Sequence, residues 1–293
     1  MQKPEWLKIR FVSNPQSKHI AGLMEKYNLH SVCQSAHCPN CMECWSQGTA
    51  TFMVMGEFCT RGCGFCAVKT LAKPPPPDPD EPENLAKAVQ ELGLRYVVIT
   101  SVARDDLKDG GAGHFAECVG ALRKRSPSLI IETLIPDFRC RSSSIKKLVD
   151  AKPDVISHNI ETVERLTKKV RDARAGYRQS IDVLRLAREL SKRKIITKSG
   201  MMVGLGEKRE EVYQALKDVR NTDAEIFTIG QYLQPSPRHV KLMRYVRPET
   251  FKLYEKKGYE LGFRYMACGP LVRSSYKAGE PFIKKLIKSR ISQ

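Results

Sequence analysis

The sequence has no long apolar run, no low-complexity tract and no short repeat. No apolar stretch approaches the roughly 18–20 residues of a membrane-spanning helix, which excludes such a span. The first residues, MQKPEWLKIRFV, lack the apolar core and small-residue cleavage site of a secretory signal peptide. We therefore expect a cytoplasmic protein that does not act in a membrane.

Acidic residues are scarce relative to basic ones. The chain has 50 Lys and Arg against 32 Asp and Glu, a formal charge of +18. This excess predicts an acidic partner, which could be nucleic acid, an anionic membrane surface or an acidic protein. Charge alone does not choose among them, and a lysine-rich surface is also typical of solubility or of life at high temperature. With 41% hydrophobic residues, the chain of 293 residues is long enough for two domains or for one α/β barrel with extensions.

Apolar, β-rich runs alternate with segments of helical spacing. Strands are predicted at 49–56, 95–101, 128–134, 154–160, 194–203 and 225–233. Helices are predicted between them at 83–92, 114–125, 143–151, 177–192 and 209–221, with a last helix at 248–261. The alternation predicts an α/β fold with parallel βαβ units, either an open sheet or an incomplete barrel. In both, the reactive face lies at the carboxyl ends of the strands.

The cysteines are distributed unevenly along the chain. Seven of the ten fall between Cys33 and Cys66, which favours metal thiolates over disulfides in a chain without a secretion signal. The loop after the first strand carries Cys59, Cys63 and Cys66 in a C-x3-C-x2-C spacing. A structural zinc site needs four ligands, whereas three thiolates leave one corner of a four-iron cluster open to another ligand. A zinc loop or spare thiols remain the alternative.

An earlier group contains Cys33, Cys38, Cys41 and Cys44. Alone it fits a four-cysteine zinc or iron–sulfur knuckle. With its continuation through the loop, it resembles the lipoyl synthase family of radical S-adenosylmethionine enzymes. Cys33, Cys38 and Cys44 match that family's auxiliary motif C-x4-C-x5-C, and the loop matches its C-x3-C-x2-C motif. Further similar strings are TSVARDDLKDGGA, ETLIPDF, HNIETV, TKSGMMVGLGE, TIGQYLQP and GPLVRSSY.

The resemblance implies a partial (βα)6 TIM-like barrel with two extensions. Residues 1–48 are expected to form a cysteine-rich N-terminal extension and 49–235 the barrel. Residues 236–293 are expected to form a C-terminal extension with a short strand, the RSSY segment and a basic tail. The proline-rich stretch 74–84 is predicted to be a stiff connector leading into a helix.

The resemblance also implies the reaction, an insertion of two sulfur atoms into a protein-bound N6-octanoyl-lysine in lipoate biosynthesis. Two [4Fe-4S] clusters and S-adenosyl-L-methionine are the implied cofactors. Cys59, Cys63 and Cys66 are expected to hold the cluster that cleaves S-adenosylmethionine to a 5′-deoxyadenosyl radical. The other cluster is expected to give up its sulfide.

The sulfide-donating cluster is expected on Cys33, Cys38 and Cys44, with Ser275 as an unusual fourth ligand. A hydroxyl is a harder and more easily released ligand than a thiolate, which suits a cluster that is dismantled. Cys41 stands where the family usually has an aliphatic residue, and we expect it to be a spare buried thiol. Arg273 is expected to orient the RSSY segment or to hold a carboxylate.

Several residues are expected to contact S-adenosylmethionine, namely Thr100, Ser101, Glu132, Asn159, Glu161, Lys198 and Ser199. Further predictions concern the surroundings of the site. Arg104, Asp105 and Asp106 fit either this site or a solvated loop. His158 and His239 are expected to be structural hydrogen-bonding residues. Aromatic side chains expected around the clusters are Trp45, Phe52 and Phe65. Ala103 and Cys140 depart from the family strings, and we expect these changes to affect packing only.

The implied partners are octanoylated lipoyl-carrier domains, as in 2-oxoacid dehydrogenase E2 and the glycine cleavage H protein. A reduced ferredoxin or flavodoxin as electron donor and an iron–sulfur cluster carrier are implied as well. A basic surface would steer acidic carrier domains, which explains the charge without nucleic acid. One alternative is a biotin-synthase-like sulfur-inserting enzyme. The other is a non-catalytic metal-cluster protein that binds nucleic acid in a salt-dependent manner.

Overall fold

The computed structural model describes residues 2–8, 15–35, 38, 40–46, 51–275, 282–283 and 287. Within them, the six predicted strands are all present, and their observed bounds are shorter than predicted by a few residues. The strands are β1 (His30–Ser31), β2 (Thr51–Val54), β3 (Phe58–Cys59), β4 (Lys69–Thr70), β5 (Tyr96–Ser101), β6 (Ile130–Leu134), β7 (Val155–Ser157), β8 (Ile196–Val203), β9 (Ile226–Gln231) and β10 (Tyr265–Gly269).

One sheet contains eight of these strands, in the order β1-β2-β5-β6-β7-β8-β9-β10. β1 pairs antiparallel with β2, and each of the other neighbouring pairs is parallel. The short strand expected in the C-terminal extension is β10, which lies beside β9 and extends the parallel series. β3 and β4 form a separate two-stranded ribbon around the cysteine loop. The architecture is the α/β partial barrel that the sequence predicted.

Helices alternate with the parallel strands. They are α1 (Pro15–Lys26), α2 (Val32–Ser35), α3 (Cys41–Ser46), α4 (Glu81–Glu91), α5 (Ala112–Arg125), α6 (Ser142–Asp150), α7 (Thr167–Val170), α8 (Tyr177–Leu190), α9 (Arg209–Arg220) and α10 (Pro248–Glu260). The predicted proline connector is neither helix nor strand up to α4, and Pro82 lies in the first turn of that helix. Proline is tolerated there because the first amide groups of a helix have no partner within the helix. None of the helices in the described ranges is long and apolar enough to cross a membrane.

Apolar side chains pack together at the amino ends of three strands. Val155, Ile196 and Ile226 begin β7, β8 and β9, and they pack together with Ile283 from the C-terminal segment. Ile283 is fully buried. Burying such a side chain contributes on the order of 1.5–3 kcal/mol. The C-terminal extension therefore seals the end of the barrel opposite the reactive face.

The N-terminal extension shares the hydrophobic core of the barrel. Ile20 and Met24 of α1 and Trp45 of α3 pack in one apolar cluster with Phe52 of β2. Trp45 and Phe52 thus belong to the core, whereas Phe65 lies on the wall of the cavity described below. This packing fixes α2 and α3, which carry the first cysteine group, against the edge of the sheet.

Candidate active site and its two cysteine groups

A cavity of about 540 Å³ opens at the carboxyl ends of the parallel strands. Three separate parts of the chain bring sulfur and hydroxyl groups to its wall. They are Cys33 and Cys38 from the first group, Cys59, Cys63 and Cys66 from the loop, and Ser275 from the C-terminal segment. Both predicted cysteine groups therefore face one space.

The cysteine loop begins at a sharp turn after β2. Met55 has φ of 67° and Gly56 has φ of 81°, so two successive residues are left-handed. Glu81 at the start of α4 accepts a hydrogen bond from the Met55 amide at 2.8 Å. The same carboxylate oxygen lies 2.6 Å from Nε2 of His114 on α5. The left-handed backbone conformation of Met55 costs free energy. The contacts of Glu81 stabilise this conformation and set the direction of the loop.

The loop sulfurs are surrounded by hydrogen-bond donors. The Cys59 sulfur accepts from the amides of Arg61 and Ala103, both at 3.4 Å, and the Cys63 sulfur accepts from the Asp172 amide at 3.3 Å. Burial raises the pKa of Cys63 and raises that of Cys66 to about 12. Thiols like Cys63 and Cys66 ionise together only beside a strong positive charge, which a metal centre supplies. The donor set therefore fits an iron–sulfur cluster.

Arg61, between two of these cysteines, forms a buried double ion pair. Its guanidinium contacts Asp105 at 2.7 Å and Asp137 at 2.7 Å, from the loops after β5 and β6. Burial alone would raise the pKa of Asp105, but the hydrogen bonds from Arg61 outweigh it and hold the pKa at about 2. Nothing in the sequence predicted this network. Of the three residues expected either at this site or in a solvated loop, Arg104 is buried and bonds Asp106 at 2.8 Å, whereas Asp106 is exposed.

A second charged pair holds the outer side of the loop. Asp172 accepts a hydrogen bond from the Gly62 amide at 2.9 Å. Arg174 donates to the Thr60 carbonyl at 2.7 Å and to Asp172 at 2.8 Å. The segment after α7 thus fixes the backbone of the loop on both sides of Arg61. Hydrogen bonds of this kind orient ligands around a metal centre.

Both histidines singled out from the sequence are structural, as predicted. His239 lies 3.1 Å from the Cys66 carbonyl oxygen through Nε2 and 2.8 Å from the Ser236 hydroxyl through Nδ1. His158 is buried, with Nδ1 at 2.8 Å from the Ile135 carbonyl oxygen. Burial lowers the pKa of His158 to about 4, so the ring is neutral near pH 7.

The first cysteine group is more compact than its spacing indicates. The Cys41 thiol donates a hydrogen bond to the sulfur of Cys33. This bond, together with one from the Thr51 amide, lowers the pKa of Cys33 to about 6. The prediction of a buried Cys41 is wrong, since the residue is half-buried. It opens α3, and from there it reaches Cys33. Cys44 is buried in the apolar core and does not line the cavity.

The C-terminal segment completes this end of the cavity. Gly230 of β9 allows the approach, because a Cβ there would lie 2.2 Å from the Val272 carbonyl oxygen. Arg273 is hydrogen-bonded to the Cys38 thiol and donates to the Gln231 carbonyl at 3.1 Å. As expected, Arg273 orients the segment that carries Ser275.

A hydrogen bond between two uncharged groups joins the first cysteine group to that segment. Nδ2 of Asn40 donates to the Leu271 carbonyl at 2.7 Å, and Asn40 is fully buried. The first cysteine group and the Ser275 segment are therefore linked directly, although 231 positions separate these two residues in the sequence.

Four of the seven residues expected to contact S-adenosylmethionine line the cavity, namely Thr100, Ser101, Asn159 and Glu161. The Ser101 hydroxyl and the Asn159 carbonyl oxygen are buried and find no hydrogen-bond partner among the described residues. Such groups are costly unless a ligand pairs with them. Burial raises the pKa of Glu161, whose backbone is left-handed with φ of 65°. This wall fits a polar ligand.

The other three residues lie off the cavity wall. Glu132 and Lys198 form an ion pair at 2.8 Å inside the sheet, with each side chain 1% exposed. Glu132 also bonds the Tyr96 hydroxyl. Ser199 is fully buried, and its hydroxyl has no partner in the described part of the chain. Contact of these three with S-adenosylmethionine stays a prediction, and their observed contacts are internal.

Comparison with known proteins agrees with this geometry. The model of the radical SAM superfamily matches residues 53–219. A lipoyl synthase of Anaeromyxobacter sp. strain Fw109-5 is 51% identical over 99% of this chain and 98% of its own length. The chloroplastic lipoyl synthase of Arabidopsis thaliana is 49% identical over 100% of this chain and 75% of its own.

The fold likewise resembles a solved structure. The crystal structure of methylornithine synthase superposes with a TM-score of 0.55 at 13% identity, over 88% of this chain and 75% of that one. At this identity the likeness concerns the fold alone. The sequence relatives, which match over almost the full chain, decide the family: the protein belongs to the lipoyl synthase family of the radical SAM superfamily and is a radical SAM sulfurtransferase.

Proposed function

We propose that the protein inserts two sulfur atoms into an N6-octanoyl-lysine of a carrier domain, giving lipoyl-lysine, with two [4Fe-4S] clusters in one cavity. The observation that carries the proposal is the shared wall, where Cys33, Cys38 and Ser275 face the same space as the loop cysteines. When bound, one cluster supplies the electron for cleavage of S-adenosylmethionine, and the other supplies sulfur.

Each side of the cavity has its own task in this proposal. Cys59, Cys63 and Cys66 would hold one cluster, and three protein ligands would leave it open to S-adenosylmethionine. Ser101 and Asn159 pair their buried polar atoms with that cofactor. Thr100 and Glu161 complete this wall of the cavity.

The other side holds the second cluster and the substrate. Cys33, Cys38 and Cys44 are the proposed thiolate ligands, and Ser275 is the fourth. As a ligand, the Ser275 hydroxyl would be harder and more easily displaced than a thiolate. Apolar side chains from the strand ends, among them Met53, Leu134 and Met201, also line the cavity. They suit an octanoyl chain, which offers no polar group to bind.

The division into 1–48, 49–235 and 236–293 is part of this proposal. The two extensions each bring ligands for the second cluster, and the barrel brings those for the first. Octanoylated E2 and H-protein domains are the proposed substrates, a ferredoxin or flavodoxin the proposed reductant, and a cluster carrier the proposed source of renewed sulfide. Clusters of this kind and reduced thiols are compatible with the cytoplasm, which we propose as the location.

Anaerobic reconstitution with iron and sulfide tests the proposal. Two four-iron clusters require about eight irons per chain. With dithionite and an octanoyl-lysyl peptide, we expect 5′-deoxyadenosine and a dithiolane product detected by mass spectrometry. About four irons with no deoxyadenosine, or zinc at both cysteine groups, would overturn the proposal.

A further inference from the structure

Exposed basic residues surround the outer side of the cysteine loop. Lys168 and Lys169 precede Val170, and the main-chain oxygens of Lys169 and Val170 lie 3.6 Å from the Cβ position of Gly64. On the other flank, the Val240 amide donates to the Gly64 carbonyl at 2.8 Å. Arg238 and Lys241 adjoin Val240, and both are exposed.

With Arg174, which donates to Thr60, these residues form what we call the loop-side basic patch: Lys168, Lys169, Arg174, Arg238 and Lys241. The acidic groups nearby are already paired. Asp172 pairs with Arg174, Asp105 with Arg61, and Glu164 with Arg178. Among the described residues, no ion pair involves Lys168, Lys169, Arg238 or Lys241, so the patch carries a net positive charge toward solvent.

The patch lies beside the loop and close to the cavity, because Arg171, Ala175 and Pro235, its neighbours in the sequence, line the cavity. None of its five residues lines the cavity, whereas the three loop sulfurs do. Gly62, at the apex between Cys59 and Cys63, is exposed. A protein seated on the patch therefore comes close to the loop that carries the three sulfurs.

We propose that the loop-side basic patch is the docking surface of an acidic one-electron donor protein. This inference rests on the proposed function, which requires one electron per cleavage of S-adenosylmethionine. In each event the donor is oxidised by one electron, and the centre held by Cys59, Cys63 and Cys66 is reduced by one. Electron transfer slows steeply with distance, so a surface directly outside the loop favours it.

An acidic carrier domain is the other protein that a basic surface attracts. Its octanoyl-lysine must enter the cavity, however, and none of the five patch residues lines the cavity. The position of the patch therefore favours the donor over the carrier.

A charge-reversal experiment tests this inference. The variant combines Lys168→Glu, Lys169→Glu, Arg238→Glu and Lys241→Glu in the full chain. The control combines Lys124→Glu and Lys217→Glu, at exposed positions in the last turns of α5 and α9. Those turns lead back to the amino ends of the strands, opposite the reactive face. Two double variants, one with Lys168→Glu and Lys169→Glu and one with Arg238→Glu and Lys241→Glu, change the net charge by the same amount as the control.

The probe is a bacterial flavodoxin. Its oxidised form is titrated by calorimetry for affinity, and its reduced form drives 5′-deoxyadenosine formation. Electrostatic steering typically changes association rates by about 10–10³-fold and weakens with salt. We expect the variant with all four substitutions to lose at least about 10-fold in affinity for flavodoxin and in flavodoxin-driven rate at low salt. The rate with dithionite, a small reductant, should match that of the unaltered chain.

Equal affinity and rate in the variant and the unaltered chain would overturn the inference. So would a raised KM for an octanoylated carrier domain with an unchanged response to flavodoxin, since the patch would then serve the carrier. An unaltered chain that forms no deoxyadenosine with dithionite would contradict the proposed function instead. The calorimetric affinity would still decide the docking surface in that case.

Discussion

The two cysteine groups are built in contrasting ways. The loop group, Cys59 to Cys66, is a continuous stretch anchored by buried charges, with Arg61 between Asp105 and Asp137. The first group depends on two distant parts of the chain that meet through a neutral hydrogen bond from Asn40 and the contact of Arg273 with Cys38. The loop group is held by buried ion pairs, whereas the first group is brought together from separate segments of the chain.

The contrast fits the tasks proposed for the two sides. A centre that is reduced and returned to its starting state in every cycle benefits from rigid surroundings, because preorganised groups need no rearrangement. A centre that gives up its sulfide must release its iron and accept a new cluster. Ligands from separable segments, one of them a hydroxyl, allow this without unfolding the barrel.

Arg61→Ala should produce the largest loss of stability. It leaves Asp105 and Asp137 buried without their partner, and breaking a buried pair in this way costs about 3–5 kcal/mol. Denaturant unfolding of the chain measures the free energy change. The control is Arg165→Ala, whose ion pair with Glu211 is at the surface and whose side chain is 52% exposed. Exposed pairs contribute at most about 1 kcal/mol. Equal losses in the two variants would show that the loop is not clamped by charge.

Acid should also destabilise the loop side of the site, through His158. Its pKa is about 4 in the folded chain, against 6.5 in the unfolded chain. Between these values the unfolded state binds the proton and the folded state does not, so the free energy of unfolding falls as the pH drops from 6.5 toward 4. The full difference amounts to about 3 kcal/mol. Unfolding titrations at several pH values measure it.

His158→Gln is the matched variant for that titration. Glutamine keeps a polar amide at the position of Nε2, which faces the Ser180 hydroxyl, but does not titrate in this range. The variant should therefore show a flatter dependence of stability on pH between 4 and 6.5. A dependence as steep as that of the unaltered chain would mean that other groups account for the acid sensitivity.

Asn40→Ala should have a smaller effect, confined to the first cysteine group. It removes the hydrogen bond to Leu271, and a bond of this kind contributes about 0.5–1.5 kcal/mol. We expect faster loss of iron to a chelator from about half of the reconstituted metal, with the other half unchanged. Uniform loss of all the iron would show that the two groups are not held independently.

The sequence predicted much of this arrangement because its signals are local. Cysteine spacing identified both groups, and the alternation of apolar runs predicted the strands and helices. No local sequence pattern predicted the ion pairs that hold the loop, since Arg61 lies 44 positions from Asp105 and 76 from Asp137. The internal pairing of Glu132 with Lys198 was missed for the same reason, because their contact is made across strands.

The most direct test compares Cys38→Ala and Cys63→Ala after reconstitution, with Cys41→Ala as the control. Iron, 5′-deoxyadenosine and dithiolane product are measured on each. The account predicts about four irons in each of the first two variants, with deoxyadenosine retained only in Cys38→Ala and dithiolane in neither. Cys41→Ala should keep about eight irons and both products. Dithiolane formation by Cys38→Ala would contradict the claim that two separately held clusters share this cavity.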